Sequence, residues 1–568
     1  MGFNGFITRS VVIELKNALI NAKVNKIFEP NKNEIILGLY NNGNNYALDL
    51  CTNPEFCRIC LTTHQKPNPQ NAYNFCMLLR KYLIGGKIIN ISNYDLERTV
   101  EIKFECYNEL NDLVIRKLYI EIMSRQSNII LTNENNIIID TLKHSDTSSR
   151  ELLPAHTFEF TPINKSSFIE LQNVDEFISF IYNSEDSLTK SLTSNFIGFS
   201  KNFTKETLNY LNISDTNFSR EDLNKLYTYL KSLIDNLGTS KIYCRKINDD
   251  KDYTIFIDNR NTANSENSLS LNWFLDDFYA NKEQSTLFIN SRNNLLKIVS
   301  NSLNKVYKKM ENINNKLKEC EDREKYRLYG ELLTANLYKL DNNAITNQIT
   351  LNNYYDENKP ITIPLDTRIS IQKNVAKYYK KYNKLKNTLD ICSIQKKEAE
   401  KELDYISSIV FNLKNARTLN DISGVYDEIA ENVLTKKELS KKQSKNTSTD
   451  NKIKIDNITI DNYTIYIGKN NVQNDYLSLK FANSNDIWFH VQKMHGSHVL
   501  LRNSENQEID EIPENILYTC SKLAKENSKA SNSLNVPVDY CYARHVKKVS
   551  GSKPGMVIYN NFKTIIVK

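Results

Sequence analysis

Residues 296–320, LKIVSNSLNKVYKKMENINNKLKEC, decide the architecture of this chain. Leu296, Val299, Leu303, Val306, Met310, Ile313, Leu317 and Cys320 recur at steps of three and four residues without a miss. That spacing keeps one apolar seam on a helix and is the pattern of a coiled coil. Past an interruption rich in turn residues and proline (339–366), the pattern resumes with Val375, Tyr378, Tyr382, Leu385, Leu389 and Cys392. It continues through Ala399, Leu403, Ile406, Val410 and Leu413, broken only by Lys396. Two such runs in one chain, with a compact insert between them, predict an antiparallel hairpin. An arm of about 45 residues projects roughly 70 Å. It buries little beyond its own seam, so it suits reaching or wedging, and dimerisation through the same heptads is the competing reading.

Outward from the arm, the 568 residues have room for about three to five domains. TRSVVIELKNALINA (8–22) puts Val12, Leu15 and Leu19 on one face of an amphipathic helix. EIILGLY, NNGNN and YALDLCT read as a hairpin by the Asn-Gly signal. NAYNFCMLLRKYLIGG reads as a helix closed by glycines, and TVEIKFECY, KLYIEIM, NIILT and NIIID as further strands. Residues 1–165 are therefore expected to form a mixed α/β N-terminal domain. Residues 166–283 lose the strand pattern and read as mostly helical; within them FIGFSKNFTKETL (196–208) has the form of a helix–hairpin–helix turn around Gly198. The coiled coil fills 284–434 with its tip at 339–366. Lysine-rich TKKELSKKQSKNTSTDNK (435–452) reads as a linker. Residues 453–568 read as a small β-rich C-terminal domain, and the fold class is α+β multidomain.

Composition, 40% apolar and 25% charged, is that of a soluble globular protein. No apolar run approaches the ~20 residues that span a bilayer, and MGFNGFITRS has no signal-peptide core, so the expected compartment is the cytosol. Of the ten cysteines, only Cys51, Cys57 and Cys60 cluster. A lone C-x-x-C without a second pair or nearby histidine reads more simply as small apolar residues on strands than as zinc ligands. NDIWFHVQKMHGSHVLLR (485–502) holds three of the seven histidines. Alternation sets Trp488, His490 and Gln492 on one face and Ile487, Phe489 and Val491 on the other, a strand–turn–strand. Net charge is only +7, but the tail after Asp539 carries Arg544, Lys547, Lys548, Lys553, Lys563 and Lys568 and no acid. Such a segment favours a phosphate-rich partner, a solvated basic tail being the alternative.

Several stretches together resemble the NFACT family of fibronectin-binding-protein-A-like proteins. FNGFITRSVVIELK is similar to the family's first helix, CMLLRKYLIGGKI and EIMSRQSNIIL to its N-domain signatures, and GELLTANLY (330–338) to the motif ending its first long helix. GKNNVQNDYLSLKFANSNDIWFHVQKMHGSHVLLR and VPVDYCYARHVKKVSGSKPGMVIY resemble its C-terminal RNA-associated domain. The likeness runs from end to end in the family's order. It implies a ribosome quality-control factor with no cofactor, metal or catalytic residue. Such a factor binds the large (50S) subunit and rRNA where peptidyl-tRNA is still held. It recruits charged tRNA, alanyl-tRNA in bacterial members, and the ribosome then adds C-terminal alanine without mRNA, marking the chain for degradation. The resemblance also allows a small auxiliary RNA-binding factor and, from the family's older name, fibronectin at the cell surface.

Carried over one residue at a time, the family's tRNA-contacting positions fall on Glu97, Arg98, Glu121, Ile122, Met123 and Arg125. Glu97 stands where Asp is usual and Gln126 where His is common. Without the resemblance, Glu97 and Arg98 read as solvated charges on a strand, and Ile122 as strand core. Gly198, Ser200 and Lys201 match the hairpin that holds RNA backbone; Arg544, Lys547, Lys548 and Lys553 match or border the basic tail. His490 and the Gly496-Ser497-His498 turn match the family, while the position of His495 is commonly Pro. His490 and His498 are expected to be structural or RNA-facing. An enzyme is the first rival: the N-terminal domain implied is similar in fold to DNA glycosylases that use an N-terminal proline, but Gly2 and Phe3 stand there. A surface adhesin is the second, and the chain shows no export signal, repeat or wall anchor.

Overall fold

The computed structural model describes residues 2–147, 150–161, 164–182, 186–249, 251–257, 270–340, 346–433 and 455–568. The chain divides into two compact units, Met1–Ser285 and Thr286–Lys568.

In the first unit, the Asn4 side chain caps α1 (Gly5–Leu19) by accepting the Ile7 amide at 3.1 Å. Strands β1 (Lys23–Asn31), β2 (Glu34–Asn41), β3 (Asn44–Cys51) and β4 (Arg58–Leu61) lead to α2 (Asn74–Leu83). Five more follow: β5 (Lys87–Asn93), β6 (Thr99–Tyr107), β7 (Leu113–Glu121), β8 (Asn128–Asn133) and β9 (Ile138–Thr141). They form one nine-stranded antiparallel sheet in the order β4-β3-β2-β1-β5-β6-β7-β8-β9. The β2–β3 hairpin closes through Asn42 and Gly43 at φ 46° and 85°, the left-handed pair that an Asn-Gly turn supplies at little cost. Period-two alternation sends Val100, Ile102, Phe104, Leu118, Ile120 and Ile122 into a core shared with α1 and α2. On the other face, Tyr119 and Ile130 lie under Ile138, Leu152 and Phe158.

A short ribbon, β10 (Ser145–Thr147) and β11 (Arg150–Leu152), precedes helices α3 (Val174–Tyr182), α4 (Leu188–Asn195), α5 (Lys201–Leu211) and α6 (Arg220–Asp235). Phe168, Phe177, Phe196 and Phe199 meet here largely edge to face. The stretch read as mostly helical also holds a ribbon, β12 (Ile242–Ile247) and β13 (Asp252–Ile257). Every residue of β13 is buried, so it lacks the one-sided alternation that marks a strand in sequence.

In the second unit the predicted arm is present. Helix α7 (Leu271–Glu321), of which residues 286–321 belong to this unit, and α8 (Arg323–Asn336) run antiparallel to α9 (Ile371–Asn415). Leu295, Val299 and Val306 pack with Tyr405, Ile406, Ile409 and Leu413, and Ile313 with Cys392 and Ala399. Numbers rise on one helix as they fall on the other, and Lys309 pairs with Glu402 at 3.0 Å. Lys396, which interrupts the heptads, is half-buried. At the tip, hairpin β14 (Gln348–Asn353) and β15 (Lys359–Pro364) joins Leu332, Leu333 and Ile371 in a small core. Helix α10 (Leu419–Asn432) ends the arm's base. The stretch read as a linker, 435–452, lies outside the described residues.

The C-terminal part runs β16 (Asp456–Ile460), β17 (Tyr463–Ile467), α11 (Asn471–Tyr476), β18 (Ile487–Val491), β19 (Val499–Leu501), α12 (Glu514–Glu526), β20 (Val536–Tyr542), β21 (Val546–Lys547), β22 (Ile558–Tyr559) and β23 (Lys563–Val567). Its main sheet has the order β16-β17-β19-β18-β20-β23. As the alternation in 487–491 requires, Ile487, Phe489 and Val491 face α12, while Trp488 enters a second core with Leu477, Leu500 and Cys541. Among the described residues no helix is long and apolar enough to cross a membrane.

Candidate nucleic-acid interface

Strand register brings two of the sequence-derived patches together. Thr99 of β6 pairs with Glu121 of β7, and one step further the Ile122 amide donates to the Arg98 carbonyl at 3.0 Å. Glu97 and Arg98 lie on the loop between β5 and β6 rather than on a strand, both half-buried. Asn93 braces this loop by donating to the carbonyls of Asp95 and Glu97 at 3.0 and 3.3 Å. Burial raises the Glu97 carboxyl above its ordinary range, and the Arg98 amide and guanidinium pull it back. Beyond Glu121 the chain leaves the sheet. Ile122 is 0% exposed. The Met123 amide then donates to Ser127 Oγ at 2.8 Å, and Ser124, at φ 55°, starts a tight turn (Ser124–Gln126) that leaves Arg125 exposed. Glu121 itself is 1% exposed, and both its oxygens accept from Arg150, at 3.0 and 2.7 Å.

The hairpin at Gly198 adjoins the same loop. The Gly198 carbonyl accepts the Gly5 amide at 3.0 Å, and a Cβ at Gly198 would lie 2.4 Å from Leu96 Cβ. With φ at +84°, glycine is needed here for backbone shape and for close approach. Ser200 caps α5, its Oγ accepting the Phe203 amide at 3.4 Å, and Lys201 is exposed in the first turn. Arg98, Met123, Arg125 and the start of α5 thus belong to neighbouring loops of one unit.

The tail residues divide in two. Lys548 pairs with Asp475, whose other oxygen accepts the Gly555 amide at 2.9 Å. Lys553 donates to Asn432 at 3.3 Å and lies 5.7 Å from the Tyr405 ring centre. Lys553 thus holds its loop to the base of the arm, and Lys548 holds it to α11. Lys547 is exposed on β21, and Arg544 stacks 4.1 Å over Tyr542 while donating to Asn485 at 2.6 Å.

Of the three histidines His498 is buried and His490 and His495 are half-buried. Trp488 Nε1 donates to Ser478 Oγ at 2.9 Å, and that hydroxyl sits 2.7 Å from His498 Nδ1. Both His490 and His498 pack against the Trp488 ring. Burial pushes the His490 pKa down to about 4 and His498 well below its ordinary value, so both rings are neutral near pH 7. His495 instead reaches Asp404 of α9, at 3.2 Å.

Near Cys51, the ligand atoms of Glu34, Cys51 and Glu283 come within 4.8 Å of one another. The carboxylates are already answered: Arg58 reaches Asp49 at 2.6 Å, Glu34 at 3.3 Å and Glu283 at 2.7 Å, and Lys66 joins Glu34 and Glu283. Burial pushes the Cys51 thiol up to about 12. Two cations and a protonated thiol make this an ion-pair cluster rather than a metal cradle.

Residues 4–448 match the model for NFACT N-terminal and middle domains, and residues 454–561 that for the NFACT protein RNA binding domain. The chain belongs to the NFACT family. It is 34% identical over its whole length to the Rqc2 homolog RqcH of Bacillus subtilis, covering 98% of that protein. It is 30% identical, again over its whole length, to the Rqc2 homolog RqcH of Streptococcus suis, with 98% of it covered. The N-terminal part of the fibronectin/fibrinogen-binding protein from Streptococcus suis aligns over 49% of this chain and 99% of its own, at 26% identity and a TM-score of 0.40.

Within this NFACT chain, sequence reasoning missed Arg150, Gly5 and Leu96. Arg150 lies far from Glu121 in sequence and no local pattern couples them. The FNGF opening of the first helix does contain Gly5, but only the fold reveals that it faces Gly198.

Proposed function

We propose that this protein acts in ribosome quality control. It binds the large (50S) subunit that still carries peptidyl-tRNA and recruits charged tRNA, alanyl-tRNA above all, so that the ribosome extends the stranded chain with C-terminal alanine in the absence of mRNA. The observation that carries this reading is the joining of Arg98 to the 122–126 turn in one loop-built ledge, in a family whose C-terminal domain is an RNA binding domain. Whole-length similarity to proteins named Rqc2 homolog RqcH supports it further.

The chemistry suits recognition rather than bond making. Guanidinium groups offer paired, planar donors to phosphates and base edges, and unstacked loop bases are what proteins read in RNA. Peptide-bond formation is left to the ribosome. The long arm gives reach, and the exposed basic residues Arg544 and Lys547 give affinity for rRNA phosphate.

Two measurements test this. In sucrose gradients the protein is expected to sediment with large subunits holding peptidyl-tRNA and to direct C-terminal tailing. Arg98→Ala, folded to the wild-type level, is expected to lower tRNA binding about tenfold and to abolish tailing. Unimpaired recruitment by that variant would remove Arg98 from the site.

A further inference from the structure

Glu121 raises a problem for any direct contact with RNA. Its carboxylate is 1% exposed, and each oxygen already accepts from one Nη of Arg150. A base or phosphate could reach it only by expelling that guanidinium. On the strand, Glu121 also points away from Ile122: Ile122 enters the core shared with α1 and α2, while Glu121 lies on the side of Tyr119, the face covered by Leu152 and Phe158.

The other half of the pair is well anchored. Arg150 opens β11, its guanidinium lies 5.4 Å from the Phe158 ring centre, and Nη2 also donates to the Glu159 carbonyl at 2.9 Å. Phe158 in turn stacks on Tyr119 at 4.2 Å. The pair therefore pins the last residue of β7 to the segment that covers the sheet. It does so one residue before the Ile122–Arg98 hydrogen bond and four before Arg125.

We infer that Arg150 is a positioning residue for tRNA recognition: acting through Glu121, it fixes where β7 ends and so the direction in which the 122–126 turn presents Met123 and Arg125 to RNA. This rests on the proposed function for its RNA readout, but not for its structural one. Glu121 contributes as a buried anchor, and Arg125 and Arg98 supply the contacts. A fork-shaped, two-point ion pair suits the task because it fixes orientation as well as distance.

The test uses the full-length protein, with unfractionated radiolabelled tRNA as the probe and amide hydrogen exchange of the free protein as an independent measurement. Arg150→Met leaves a buried carboxylate unpaired, so exchange at Ile122–Gln126 is expected to quicken and tRNA affinity to fall about tenfold. The log–log salt slope should stay unchanged, because no phosphate contact is lost; Arg125→Ala should lower it by about one. Arg150→Lys should recover part of the loss. The double variant Glu121→Met/Arg150→Met removes the unpaired charge together with the pin, so it should recover stability while exchange at Ile122–Gln126 stays faster than in wild type and tRNA binding stays weaker.

Wild-type tRNA affinity in Arg150→Met, with exchange at 122–126 quickened, would show that the pair does not position the RNA contacts, and would overturn the inference. Unchanged exchange at 122–126 in Arg150→Met would overturn it as well. Wild-type protein that fails to bind tRNA, with exchange at 122–126 still responding to Arg150→Met, would overturn the proposed function and leave the positioning role standing.

Discussion

The amide of Gly5 donates to the carbonyl of Gly198 at 3.0 Å, and Leu96 lies against both glycines, its carbonyl oxygen 2.0 Å from where a Gly5 Cβ would be. The start of the first helix, the turn before α5 and the loop carrying Glu97 and Arg98 therefore share one point of contact. That point is a lever on the ledge: whatever moves Leu96 moves Arg98 two residues later.

Gly198→Ala tests the lever. The new methyl group would meet Leu96 Cβ at 2.4 Å and its carbonyl oxygen at 2.8 Å. The left-handed backbone adds about 1–2 kcal/mol of strain and the overpacking about 1–3 kcal/mol. Urea unfolding of the full-length protein should show a loss of about 3 kcal/mol from the first unit. Where the variant stays folded, tRNA affinity should fall although no RNA-facing side chain has changed.

The basic tail yields a graded expectation. Lys547 is exposed, whereas Lys548 is tied to Asp475. Lys547→Ala should lower the log–log salt slope of ribosomal RNA binding by about one and leave thermal stability unchanged. Lys548→Ala should loosen the 548–556 loop, seen as faster amide exchange there, with a smaller effect on the salt slope.

Periodic features of the fold are legible in the chain's residue pattern. The arm follows from Leu296 to Leu413, the β2–β3 hairpin from Asn42-Gly43, and the two-faced strand 487–491 from strict alternation, because each depends only on neighbours within one or two turns. The β12–β13 ribbon is not legible in that way, since β13 is buried throughout and has no polar face. The candidate site is half legible. Resemblance singles out positions 97–98 and 121–125, but their adjacency is a product of β6–β7 register. The burial of Glu121 depends on Arg150, a residue that joins it only through the ribbon over the sheet. Gly198 reads in sequence as a backbone site for phosphate; its packing role depends on Gly5 and Leu96, which lie elsewhere in the chain.

The neutral histidines make the C-terminal part sensitive to acid. His490 has its pKa lowered from 6.5 to about 4, burial outweighing the attraction of Asp539, with His495 also disfavouring its charge. The folded-state value lies below the unfolded one, so the stabilisation is full above about pH 6.5 and is lost as pH falls towards 4. A loss of about 3 kcal/mol is expected across that window for His490 alone, and His498 adds to it in the same direction. With Trp273→Phe leaving Trp488 as the single tryptophan reporter, urea midpoints should fall between pH 6.5 and 4. His490→Asn should flatten that fall.

Glu428 has the opposite sign. It is 1% exposed, and its Oε1 accepts both the Tyr405 hydroxyl at 2.7 Å and the Asn471 amide at 2.8 Å. Burial outweighs these bonds and raises its pKa from 4.5 to about 7. A carboxyl group whose folded-state value is raised loses stability as pH climbs from its unfolded value to its folded one, here from about 4.5 to about 7, and the loss stays constant above. Glu428→Gln keeps the carbonyl that Tyr405 and Asn471 use and never ionises. It should match wild type near pH 4.5 and exceed it at pH 8 by about 1–3 kcal/mol, read from urea unfolding. Glu428→Ala leaves the Tyr405 hydroxyl and the Asn471 amide without their acceptor, so it should be less stable than Gln at every pH by about 1–3 kcal/mol. If Gln instead weakens the protein at pH 8, the carboxylate is held ionised there and its charge stabilises the join of α9, α10 and α11.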